Sequence, residues 1–147
     1  MRILLAGASG VIGQRLIPRL VQAGHVVGGM TRSPSKTDLL GHLGAEPIRT
    51  EGNQNLIAAA RRSGSPKILA QSVAWQLPDG PDAQAVAELE RSVLAEGGVV
   101  LSYGQFYGPG TYNEQQQPAE PRVHIDRAAE RTVKALGEPS GVVVIID

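Results

Sequence analysis

The first thirteen residues leave few folds open to this chain. Ile3-Leu4-Leu5-Ala6 is a short apolar run, Gly7-Ala8-Ser9-Gly10 is a turn, and Val11-Ile12-Gly13 starts a segment with helical apolar spacing. The glycines stand at Gly7, Gly10 and Gly13. In a strand-turn-helix each has a distinct task. Gly7 lets the chain leave the strand sharply, Gly10 lets backbone approach a ligand, and Gly13 lets the helix pack closely on the sheet. A helix N-terminus carries unpaired N–H groups and a partial positive charge, so a pyrophosphate suits it. The alternative is a structural turn that binds nothing. The placement after an apolar strand and before an amphipathic helix favours the phosphate cradle, with Gly7, Ser9, Gly10, Val11, Ile12 and Gly13 as its candidate residues.

The remaining bulk properties narrow the class. A chain of 147 residues suits one domain, here 1–147, with a sizeable core. Formal net charge is zero and there is no basic run, which argues against a nucleic-acid surface. No apolar run reaches the roughly 20 residues needed to span a bilayer. The apolar start carries the glycine turn, so it does not read as a signal peptide. The absence of cysteine removes disulfides and thiolate chemistry and fits a cytoplasmic protein. His25, His42 and His124 are widely spaced, so no metal site is expected.

The chain then alternates between element types. Strands are expected over Arg2 to Ala6, His25 to Thr31, Pro66 to Ala74, Val99 to Tyr103 and Gly141 to Ile146. Helices are expected over Val11 to Ala23, Ser35 to Leu43, Glu51 to Ser63, Asp82 to Glu96 and His124 to Leu136. Ser35 is a reasonable N-cap, and Pro18 should bend or weaken the first helix. Residues 45–50 read as a short link and 104–122 as a long loop, rich in Gly, Pro and Gln. The pattern implies a Rossmann-like three-layer α/β/α fold with about five parallel strands in the order 2-1-3-4-5. That order puts a switch point beside the glycine turn, where open α/β sheets bind ligands.

With these segments in place, the chain resembles the NAD-dependent epimerase/dehydratase family, the extended branch of the short-chain dehydrogenases. Four pieces carry the resemblance in order: the turn from Gly7 to Gly13, Glu51-Gly52-Asn53-Gln54-Asn55-Leu56, Tyr107-Gly108-Pro109-Gly110, and Val123-His124-Ile125-Asp126. The resemblance implies an oxidoreductase-type protein with a dinucleotide cofactor, a small-molecule substrate and a homodimer through the helices at 51–63 and 82–96. Members of the family run to about twice this length. Two strands expected after the second helix, and most of the substrate lobe, find no counterpart here. The family's Tyr-x-x-x-Lys pair is also missing, because Tyr103, Tyr107 and Tyr112 are followed four residues on by Tyr107, Thr111 and Gln116. In that pair the lysine charge lowers the phenol pKa so that the tyrosine can exchange a proton.

Ser72 and Tyr107 are the remaining candidates for catalytic contact. The family's third catalytic group, a Ser or Thr, falls nearest Ser72, with Gln71 as the neighbour one residue off. Tyr103, Gln105 and Tyr107 are candidate pocket residues. His124–Asp126 reads as the start of a helix, and Glu88, Glu90, Arg91 and Glu96 read as a solvated helix face. The end of the second strand chooses the cofactor. An acid there holds a ribose diol, whereas a basic residue accepts a 2′-phosphate. This chain has Met30-Thr31-Arg32-Ser33 and no acid until Asp38. Arg32, Ser33 and Lys36 therefore point to NADP, with NAD as the alternative. Three functions remain open: a small NAD(P)-dependent oxidoreductase, a non-catalytic dinucleotide-binding module, and a minimal scaffold without cofactor affinity.

Overall fold

The computed structural model describes residues 1–49, 53–62, 64 and 67–147. The expected helix start at Glu51 and Gly52, its end at Ser63, the strand start at Pro66 and the side chain of Leu56 lie outside the described residues. The elements run β1 (Arg2–Leu5), α1 (Val11–Gln22), β2 (Val26–Thr31), α2 (Thr37–Leu43), β3 (Glu46–Arg49), α3 (Asn53–Arg62) and β4 (Lys67–Val73). They continue with α4 (Pro81–Ala95), β5 (Val99–Tyr103), β6 (Gln105–Tyr107), β7 (Arg122–His124), α5 (Ile125–Ala135) and β8 (Gly141–Ile145).

Six strands form one parallel sheet in the order β3-β2-β1-β4-β5-β8. The expected order of five strands is embedded in it, as β2-β1-β4-β5-β8. The sixth strand, β3, corrects the expectation of a short link. By rank along the chain the order is the dinucleotide-binding 3-2-1-4-5-6, whose direction reverses between β1 and β4. β6 and β7 make a separate two-stranded parallel sheet within the segment read as a loop. Among the described residues no helix is long and apolar enough to cross a membrane.

The chain divides into two compact units, Met1–Leu69 and Ala70–Asp147. In the first, Ile3, Leu4 and Leu5 of β1 are buried, as are Ile12, Leu16, Ile17 and Leu20 of α1. Their spacing is the helical apolar stripe seen in the sequence, and each such side chain contributes about 1.5–3 kcal/mol on burial. α1 continues through Pro18, whose side chain faces solvent. The glycines of β2 look weak by propensity, yet Gly28 has a packing reason. A Cβ there would lie 2.7 Å from Leu4 Cδ2 and from Ile48 Cδ1, so glycine makes room for side chains of both neighbouring strands.

In the second unit every residue of β5 is buried. α5 presents Ile125, Ala128, Ala129, Thr132 and Ala135 inward. Small residues dominate that face, so the helix backbone lies close to what it covers. At the sheet edge, the Arg131 guanidinium donates hydrogen bonds to the carbonyls of Val144 and Ile146. This occupies acceptors that an edge strand would otherwise offer to another chain.

Candidate functional site

The glycine turn has the geometry that a phosphate cradle requires. Gly7 adopts φ 68°, a left-handed conformation that suits glycine, and its carbonyl accepts the Gly10 N–H at 3.0 Å. Gly10 is the N-cap of α1, and no side chain caps that helix. The first turn also carries no acidic residue. The dipole and the first-turn N–H donors are therefore not answered by the helix itself. A Cβ on Gly10 would lie 3.2 Å from the Gly7 carbonyl oxygen, and one on Gly13 would lie 2.6 and 2.7 Å from the carbonyl carbon and Cα of Ala8. The helix thus meets the turn backbone to backbone at Gly13. Ile12 is buried, so what this residue can offer a ligand is its backbone N–H, and Val11 is half-buried. Ser9 is half-buried beside them. Gln14 Nε2 donates to the Ser9 carbonyl at 2.8 Å and braces the turn from within α1.

The second limb lies at the end of β2. The Ala8 N–H donates to the Met30 carbonyl at 3.2 Å, which ties the turn to that strand end. Arg32 and Lys36 are exposed and Ser33 is half-buried. Ser35 is not a helix cap. It lies in a 3-10 turn, Pro34–Lys36, ahead of α2, and its hydroxyl is 2.9 Å from that of Ser33. All nine predicted cofactor residues thus lie in the first unit, on two loops that hydrogen bonds join. The donor set fits a phosphorylated dinucleotide: backbone N–H groups and a hydroxyl at the turn, with a guanidinium, an ammonium and a hydroxyl at the strand end.

The two candidate catalytic side chains lie in the second unit and bond to different partners. Ser72 on β4 is buried and donates its hydroxyl to the Glu90 carboxylate of α4. This corrects the reading of Glu90 as part of a solvated face. Gln71, the one-residue alternative, is exposed. Tyr107 on β6 donates its hydroxyl to Asp147 Oδ2 at 2.5 Å, and its ring meets His124 edge-on at 5.2 Å. The hydrogen bond to the carboxylate is the largest cause that holds the Tyr107 phenol above its ordinary pKa, with desolvation and the Asp147 charge adding to it against Arg127 and Arg122. A phenol poised as a general base needs the opposite shift. Desolvation pushes Asp147 up, but the Tyr107 hydroxyl, Arg127 and the His124 N–H together hold it below the usual carboxylate value.

Tyr103 is buried, and burial pushes its pKa up despite a hydrogen bond to Thr132. The Thr132 hydroxyl donates to the Ala128 carbonyl, so at 2.6 Å the Tyr103 hydroxyl is the donor to Thr132. Its proton is thereby committed inside the core. His124 is the N-cap of α5, with Nδ1 accepting the Asp126 N–H at 3.3 Å. That matches the start-of-helix reading.

Reasoning from the sequence missed Thr31, Gln14 and Asp147. Each acts through a contact that spans a loop or a strand pair. The one local signal was for Thr31, a polar residue that ends an otherwise apolar and glycine strand beside the loop that begins with Arg32.

A strand-turn-helix of this geometry at the reversal of a parallel sheet defines a Rossmann-like α/β fold. No protein-family model matches the chain. A 3-diazoavenalumate denitrifying reductase from a Streptomyces species is 32% identical over 176 positions, which take in 76% of this chain and 58% of that protein. The matched stretch is longer than the whole 147-residue chain, so the relative carries segments that this chain lacks. Solved structures with the same fold include a UDP-glucose 4-epimerase from Thermus thermophilus in complex with NAD. It has a TM-score of 0.68 and 15% identity, over 99% of this chain and 78% of that one. A UDP-N-acetylglucosamine 4-epimerase from Bacillus cereus has a TM-score of 0.67 and 18% identity, over 100% of this chain and 79% of that one. The chain thus shares the fold of solved NAD-dependent epimerase structures.

Proposed function

We propose that this chain is an NADP(H)-binding protein of the reductase type. The observation that carries the reading is the turn from Gly7 to Gly13. It offers a helix N-terminus without a side-chain cap, joined to a strand end that bears Arg32, Ser33 and Lys36. The first-turn N–H groups of α1 and the Ser9 hydroxyl would hold the diphosphate. Arg32, Ser33 and Lys36 would hold the 2′-phosphate. When bound, the nicotinamide supplies a hydride.

The substrate class follows from two supports. The relative's name describes a reductase that acts on a diazo compound with loss of nitrogen. In this chain the Tyr103, Tyr107 and Ser72 hydroxyl protons are all donated to other protein groups. A ketone plus a hydride needs a proton to become an alcohol. An aryl diazonium plus a hydride balances to an arene and dinitrogen, so it asks no proton of a side chain. We therefore assign an aryl diazonium rather than a carbonyl as the acceptor.

The test has two stages. Fluorescence titration should show NADPH binding more tightly than NADH, and Arg32→Ala should remove the difference. Incubation of NADPH with an aryl diazonium should then release arene and dinitrogen above the protein-free rate, while a ketone panel shows no turnover. Binding without either reaction would instead select a dinucleotide-binding module, for which the committed hydroxyls also speak. Absence of any dinucleotide binding would overturn both.

A further inference from the structure

One buried hydroxyl joins the two limbs of the site in the first unit. Thr31 closes β2 and is 5% exposed. Its Oγ1 accepts the Ser33 backbone N–H at 3.1 Å and lies 3.3 Å from Ser9 Oγ. Ser9 belongs to the glycine turn, and Ser33 to the loop that begins with Arg32. The proton inventory gives the contact a direction. A threonine hydroxyl has one proton and two lone pairs, and Ser33 takes one lone pair. If Ser9 donated to Thr31, the buried Thr31 proton would need another acceptor. If Thr31 donates to Ser9, both are satisfied, and the Ser9 proton is left for a third partner.

We propose that Thr31 is the positioning residue of this site. It leaves the Ser9 proton to donate to a diphosphate oxygen, and it ties the Arg32–Ser33 loop, which would hold a 2′-phosphate, to the glycine turn. Thr31 acts through its neighbours and does not touch the ligand. The proposal rests on the dinucleotide reading above and adds to it a link between diphosphate binding and cofactor choice.

The test compares Thr31→Val, which keeps the shape and loses the hydroxyl, with Thr31→Ser, which keeps the hydroxyl. Amide hydrogen exchange at Ser33 in the ligand-free protein reads the link directly, and titrations with NADPH and NADH read its effect. Loss of one hydrogen bond should speed Ser33 exchange and weaken NADPH binding about tenfold each. The preference for NADPH over NADH should narrow, because the strand-end loop loses its anchor. Thr31→Ser should keep both values within about twofold of the wild type.

Unchanged exchange and affinity in Thr31→Val would overturn the proposal. So would a Thr31→Ser variant that behaves like the valine, since packing of the methyl group would then be the cause. A wild-type protein that binds neither dinucleotide would instead overturn the reading beneath it. Should Thr31→Val fail to fold, Ser9→Ala asks the same question at the other end of the contact. It should weaken both dinucleotides about fivefold and leave Ser33 exchange alone, and unchanged affinity would overturn the proposal.

Discussion

The two units of the chain treat their polar groups in opposite ways. In the first, the start of α1 is left without a side-chain partner: the helix has a glycine N-cap, no capping side chain and no acid in its first turn. In the second, the candidate hydroxyls already donate to protein acceptors, Tyr103 and Ser72 in the interior and Tyr107 nearer the surface. Tyr103 donates to Thr132, Ser72 to Glu90 and Tyr107 to Asp147. A donor that already holds a protein acceptor must give it up before it can serve a substrate. A donor at an uncapped helix end gives up only water. The difference shows why the same sequence resembles a dehydrogenase at one end and not at the other.

The largest expected effect tests the first half of this contrast. Gly13→Val places a Cβ against the Ala8 backbone, which cannot rotate away as a side chain would. The change should cost about 3 kcal/mol in urea unfolding and abolish dinucleotide binding. Gly10→Ala meets only the Gly7 carbonyl oxygen, at 3.2 Å. It should weaken binding with little loss of stability. Equal stability losses at the two positions would mean that the turn is not packed as described.

Next come the two ends of the buried Tyr103–Thr132 hydrogen bond. Thr132→Val strands a phenol proton in the core and should cost about 2 kcal/mol, whereas Tyr103→Phe removes the donor together with its need and should cost about 1 kcal/mol. Thermal or urea unfolding of both variants checks the order. If Tyr103→Phe also abolished turnover on the diazonium at unchanged stability, the phenol would be serving substrate and the contrast between the units would fail.

How much of this was legible beforehand depended on whether a signal was local. β1, the glycine turn and α1 could be read because strand, turn and helical stripe follow one another directly in the sequence. β3 could not. Glu46-Pro47-Ile48-Arg49 has one half-buried residue, Ile48, and contains a proline, so neither apolar alternation nor propensity marks it. It is a strand because β2 offers it a free edge, at which Met30 pairs with Ile48. The ends of the long loop were hidden for a related reason, since β6 pairs with β7 across residues 108–121. Glu90 looked solvated because its sequence neighbours are charged, while its partner Ser72 lies on β4, eighteen residues away. The cofactor limb was legible as residue types. Its assembly through Thr31 was not, because the contact from Ser9 spans twenty-two residues.

A smaller effect separates structure from chemistry at Ser72. Ser72→Ala removes the donor that the half-buried Glu90 carboxylate uses, at a cost of about 1 kcal/mol. Glu90→Gln keeps an acceptor for the serine and should cost less. If Ser72 serves the fold, its loss lowers stability and leaves NADPH affinity and turnover per folded molecule unchanged. A variant of full stability and no turnover would return Ser72 to the list of catalytic groups.

The smallest effect concerns Tyr107 and Asp147, and pH reads it. Asp147 is held below the usual carboxylate value in the folded chain, so its contribution to stability is present above the unfolded value, about pH 4, and is lost as pH falls through the folded value. Tyr107 is held above its ordinary value, so its contribution is present below about pH 10 and is lost as pH rises through the folded value. The pair therefore stabilises the fold across the neutral range and weakens at both extremes. Asp147→Ala should remove the largest cause of the raised phenol pKa, and the tyrosinate absorbance of Tyr107 should then appear at lower pH. Tyr107→Phe should flatten the acid limb of the stability curve, leaving Arg127 at 2.9 Å as the carboxylate's charged partner. Tyr103, whose proton is held in the core, should titrate only at still higher pH in both variants. A wild-type phenol that instead ionised below its ordinary value would be a base in waiting, and the second unit would then hold the chemistry that its geometry now withholds.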